Sequence, residues 1–134
     1  MTAAHRDCEW ALSVDPTTAK LADVRRFVEQ VAAEVALDLE RAFDLKVAVS
    51  EACANAMEHA GCESTPLEIL ARLRPQRLTF VVTDDGLFRP PSSAREGFGS
   101  RGLGLPLMVT LMDEVTFART PSGGTRVTLS VLLA

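Results

Sequence analysis

Paired cysteines and an excess of positive charge are both missing from this chain, and each absence removes a class of function. Cys8, Cys53 and Cys62 are odd in number and widely spaced, with none of the short repeated spacing of a structural zinc site. No secretory apolar segment opens the chain, so the cysteines point to a reduced, cytoplasmic protein and not to a disulfide-stapled secreted one. The net charge of −4 argues against direct contact with nucleic acid, which calls for a basic face. Apolar runs break well before the roughly 18 residues that a membrane-spanning helix needs. No internal repeat or linker stands out either. The 134 residues, 47% of them hydrophobic, are therefore read as one domain over 1–134 with a core of its own.

Periodicity supplies the coarse layout. Glu9 to Val14, with the lone Trp10, reads as a short strand. Asp15-Pro16 reads as a cap followed by a first-turn proline, and Leu21, Val24, Phe27, Val28, Val31 and Val35 repeat at helical spacing to about Ala36. Asp38 can cap a second helix reaching Ala60, where Gly61 stops it. Leu67 to Leu73 and Leu78 to Thr83 alternate as half-buried strands around a Pro75-Gln76 turn. Leu87 to Arg101 is a loop rich in proline, serine and glycine. A helix from about Leu105 to Met112 and a hairpin of Val115 to Arg119 with Thr125 to Leu133 close the chain. This order implies an α+β fold, a mixed sheet with helices on one face.

Three clusters carry chemistry. Glu51, Asn55 and His59 recur every fourth residue, so they line one helical stripe, and Ala48, Ala52, Ala54, Ala56 and Ala60 leave room for something bulky beside it. Such a stripe can serve a metal-bound anion or can simply be a wetted face. Asp84-Asp85-Gly86 ends a strand, placing a carboxylate where it can accept from a ligand's amino group, although the same triplet is an ordinary turn. Gly97-Phe98-Gly99-Ser100-Arg101-Gly102-Leu103-Gly104 leads into a helix, so several backbone N–H groups can face a phosphate beside the Arg101 cation. A glycine hinge is the plainer alternative. The spacing matches neither the Walker loop nor the dinucleotide fingerprint.

Taken in this order, the clusters resemble the GHKL (Bergerat-fold) ATPases, and within them the small anti-sigma-factor serine kinases. The resemblance covers nearly the whole chain: Glu51, Asn55 and His59 match the N box, Asp84 and Gly86 the first glycine box, Gly102 and Gly104 the second, and Gly124-Thr125 the terminal Gly-Thr. It implies a two-layer α/β sandwich with a mixed, mostly antiparallel sheet. It also implies ATP and Mg²⁺ as cofactors, Asn55 as the metal ligand and Glu51 as the general base that deprotonates a protein hydroxyl. His59 would help position the phosphates, and Ser100, Arg101, Gly102, Leu103 and Gly104 would close over them. Asp84, with Gly86 beside it, would accept from the adenine amino group, and Thr125 would hold a water in that network.

The partners implied are a sigma factor, which the protein sequesters, and an anti-anti-sigma (STAS-domain) protein, which it phosphorylates on serine or threonine. A homodimer is also in the family's range. The first helix, with Lys20, Arg25 and Arg26 outward, is a candidate partner surface. This sequence departs from the family pattern at Phe88, where a second glycine is usual, and in a short lid carrying Pro90 and Pro91. Those departures leave room for an ATP-gated binding module, or a switch regulator of the same fold, in place of an efficient kinase.

Overall fold

The computed structural model describes residues 7–58, 65–84 and 104–133. Five strands form one sheet: β1 (Cys8–Val14), β2 (Leu67–Arg74), β3 (Arg77–Asp84), β4 (Glu114–Arg119) and β5 (Thr125–Leu132), in the spatial order β1-β2-β3-β5-β4. Three helices accompany them: α1 (Leu21–Glu34), α2 (Leu39–Glu58) and α3 (Gly104–Leu111). The α+β class and the element order match the sequence reading, with strand ends displaced by a residue or so. All four pairings are antiparallel, so among the described strands the sheet is antiparallel throughout and not mixed. The reason is β5. It inserts between β3 and β4, which run in the same direction but share no ladder.

Alternation decides which side of the sheet is covered. Leu67, Ile69, Ala71 and Leu73 of β2 interleave with Leu78, Phe80 and Val82 of β3 and with Val127, Leu129 and Val131 of β5 to make one apolar face. Against it α1 places Val24, Val28, Val31 and Ala32, and α2 places Leu45, Ala48, Val49, Ala52, Cys53 and Met57. Each set follows the three-and-four spacing of a helical stripe. Phe27 meets Phe80 edge to face, with ring centroids 6.0 Å apart, which docks α1 on the middle of the sheet.

Two helix boundaries depart from the sequence reading. The Asp15 side chain does not cap α1. Its carbonyl accepts from the Thr17 N–H at 2.8 Å, Thr17 is extended, and a 3₁₀ turn over Thr18–Lys20 precedes the helix. At the other end α1 stops at Glu34, and Ala36 takes a left-handed φ of 59°. Ala36 N–H reaches Ala33 O and Leu37 N–H reaches Ala32 O, which is the Schellman pattern built on an alanine. Asp38 does cap α2 as expected, its carboxylate accepting from the Arg41 N–H at 2.8 Å.

Candidate functional site

Asp84, the last residue of β3, is paired in register with Thr125, the first residue of β5. Both side chains therefore lie at the same end of two adjacent central strands. The α2 helix crosses above that end, and Asn55 on its last turns completes a polar rim. These three residues line one cleft. Thr125 is nearly closed from solvent, at 5% exposure. The remaining walls are apolar: Ala52 and Ala56 from α2, Met108 from α3, Phe117 from β4 and Val127 from β5. A slot with apolar faces and a carboxylate, a hydroxyl and an amide at its edge suits a flat heteroaromatic ring with an exocyclic donor.

Helix geometry places Glu51. It stands one turn before Asn55, about 6 Å back along the axis and rotated by about 40°. It is half-buried and does not line the cleft. Ala52 and Ala56 flank Asn55 where small residues were expected to admit a ligand; Ala52, like Ala48, is also part of the core. Cys53 faces the sheet behind the cleft. Burial, and after it the nearby Asp84 carboxylate, pushes its thiol up from 9.0 to about 12, so it stays protonated and inert at neutral pH. That coupling also locates the Asp84 charge close to α2.

Of the expected site residues, the structure brings together Asn55, Asp84 and Thr125; Glu51 stands one turn earlier on α2 and does not line the cleft, and Gly104 opens α3. His59, Gly86, Ser100, Arg101, Gly102 and Leu103 lie outside the described residues, as do Phe88 and the loop it belongs to. Met108, Phe117 and Val127 were not singled out beforehand. The two strand residues face one another in the β4–β5 ladder, Phe117 opposite Val127, so only the strand register reveals that they wall the cleft. Of the expected basic face, Arg25 and Arg26 are exposed and Lys20, in the turn before α1, is half-buried; Arg26 pairs with Asp23 at 2.5 Å.

A wider, polar cleft lies at the opposite end of α2. Arg41 fills its wall, donating from Nη2 to Asp113 Oδ2 and to the Leu132 carbonyl, each at 2.8 Å, while the Leu132 N–H donates to the same Asp113 oxygen at 2.6 Å. These bonds tie the start of α2 to the end of α3 and to β5. They make a structural clamp, and the apolar slot with its polar rim remains the candidate site.

Residues 14–131 match the histidine kinase-like ATPase domain. The chain belongs to that family. It is 36% identical over 106 residues to the serine-protein kinase RsbW of Bacillus subtilis (strain 168), across 69% of this chain and 66% of that protein. It is 30% identical over 99 residues to the anti-sigma F factor of Clostridium novyi (strain NT), across 66% of this chain and 69% of the relative. The chain thus spans about two thirds of the length of these relatives. Among solved structures, the RsbU and RsbW domains of a Mycobacterium tuberculosis protein superpose with a TM-score of 0.73 over 93% of this chain and 32% of theirs, at 23% identity, which speaks for the fold. The ATPase family and its anti-sigma branch are those the N box and glycine boxes pointed to. No described helix is long and apolar enough to cross a membrane.

Proposed function

We propose that the chain is an anti-sigma regulatory kinase. It binds Mg-ATP in the Asn55–Asp84–Thr125 cleft, transfers the γ-phosphoryl group to a serine or threonine of an anti-anti-sigma STAS protein in the cytoplasm, and sequesters a sigma factor when that partner is phosphorylated. The observation that supports this reading is convergence: residues far apart in sequence, on α2, β3 and β5, line one mostly apolar cleft with polar groups among them.

The roles follow from chemistry. Asp84 accepts from the adenine amino group at the slot's edge, and Thr125 beside it holds a water in the same network. Phe117, Met108 and Val127 exclude water from the ring faces. Asn55 offers a neutral amide oxygen, a hard donor suited to Mg²⁺, an ion that keeps several waters and takes few protein ligands. Among the described residues no group of three or more His, Cys, Asp or Glu gathers, which fits a cation held mainly by phosphates and water. When bound, Mg²⁺ would neutralise charge on the phosphate oxygens. His59, Ser100, Arg101, Gly102, Leu103 and Gly104 are assigned to the phosphates. Glu51 takes the proton of the partner's hydroxyl, whose oxygen bonds to the γ-phosphorus as the bond to the β–γ bridging oxygen breaks and ADP departs. Catalysis here is chiefly positioning and charge neutralisation.

Incubation with labelled ATP and purified STAS-domain proteins tests the proposal. Wild type should transfer label to one of them, and Glu51→Ala should lower transfer by roughly two orders of magnitude or more, the range of a lost general base, while keeping ATP affinity. Transfer that survives Glu51→Ala removes the base assignment. ATP binding without transfer to any STAS protein would leave a nucleotide-gated binding module.

A further inference from the structure

The first turns of α2 expose apolar area that the fold does not use. Leu39 is 87% exposed and Phe43, one turn later, is 59% exposed. Along the same outward sector of roughly 140° run Glu40, Asp44, Val47 and Glu51, and Asp38 caps the helix beside them. The strip is therefore apolar and acidic at once. The two cations of α2 are already committed. Arg41 is held by Asp113 and the Leu132 carbonyl, and Lys46 is paired with Glu29 at 2.8 Å and stacked over the Phe43 ring at 5.6 Å.

We infer that this strip is the docking track for the protein that supplies the phosphorylated hydroxyl, and that the element seated on it is a basic amphipathic segment. The inference rests on the kinase reading of the cleft and adds to it the place and chemistry of substrate capture. Continuity carries the first half: Glu51 lies on the same helix face, about 12 Å beyond Phe43 and about 18 Å beyond Leu39. A segment anchored by apolar side chains at Leu39 and Phe43 delivers a hydroxyl to Glu51 within two to three helical turns. Charge carries the second half. Asp38, Glu40 and Asp44 favour lysines and arginines flanking the partner's apolar anchors. The same carboxylates disfavour the alternatives, because a second copy would set like charges against each other and an anionic lipid surface would be repelled.

The test uses the full chain and the purified STAS-domain protein that the wild type phosphorylates. The variants are Leu39→Ser/Phe43→Ser, which removes the anchors, and Glu40→Gln/Asp44→Gln, which removes the charge. In both, KM for the protein substrate should rise at least tenfold, with KM for ATP, kcat at saturating partner and melting temperature unchanged. Raising salt should increase the wild-type KM and leave that of the glutamine variant nearly flat. Transfer with an unaltered protein KM in both variants overturns the docking track alone, and so does a parallel rise in KM for ATP. Failure of the wild type to phosphorylate any STAS protein overturns the kinase reading itself, and the track with it.

Discussion

Asp84 and Thr125 face each other across the β3–β5 ladder, and their shared position makes the end of the sheet a polar rim and not a sealed core. The carboxylate stands at the edge of an apolar slot and within electrostatic reach of the Cys53 thiol on the helix above. One residue thus supplies both a polar group of the cleft and a charge felt by the helix beside it.

Replacing Asp84 by Asn keeps the shape and removes the charge. ATP affinity should fall by about one to two orders of magnitude, the range for a lost hydrogen bond to a charged group, and preference for adenine over guanine nucleotides should shrink. Titration of both nucleotides against each protein measures it. Unchanged discrimination would reduce Asp84 to a turn residue.

On the proposed role of Asn55 as the metal ligand, Asn55→Ala should weaken ATP binding in Mg²⁺ much more than binding in EDTA. Asn55 lines the cleft and is absent from the core, so the melting temperature of the nucleotide-free protein should stay within a few degrees. Equal affinities in mutant and wild type with Mg²⁺ would contradict the assignment.

Ala36 occupies a left-handed conformation that an L side chain adopts at a cost of roughly 1–2 kcal/mol. Ala36→Gly should therefore stabilise the protein by up to about 1 kcal/mol, after subtracting glycine's greater freedom in the unfolded chain. Chemical denaturation should show a higher midpoint with an unchanged slope; a lower midpoint would mean that the Schellman turn carries no strain.

Cys53 makes stability fall in alkali. Below pH 9.0 its thiol is protonated in both states; above it the unfolded thiol ionises while the folded one holds its proton up to about pH 12. The unfolded state then binds fewer protons, so stability declines by about 1.4 kcal/mol per pH unit across that window. The chain has no tyrosine to obscure the measurement. Denaturation curves from pH 8 to 11 should slope less steeply for Cys53→Ala than for wild type, and parallel slopes would mean that the thiol ionises freely in the fold.

What the sequence made legible was local. Alternation located β2, β3 and β5, helical spacing located α1 and α2, and the motif residues Asn55, Asp84 and Thr125 line one cleft. What it hid depended on tertiary arrangement. Phe117 and Val127 are visibly inward by alternation, but which end of the sheet they wall follows from register. Asp15-Pro16 has the composition of a cap, yet the chain bends at Pro16 and Thr17 and a 3₁₀ turn comes before the helix. Ala36 ends a helix without the glycine that usually signals such an end. The antiparallel pairing of β3 was hidden because its partner β5 comes from the far end of the chain, beyond α3 and β4.

That late insertion of β5 has a temporal consequence. During vectorial synthesis β3 and β4 emerge without a ladder between them, and the strand that joins them also carries Thr125 and Val127. The slot is therefore assembled only when the long-range β3–β5 pairing forms, which must first meet the loop-closure cost of the chain between those strands. A nascent chain that has made every other described element still has an open seam in its sheet, and the proposed nucleotide cleft is complete only with the closing of that seam.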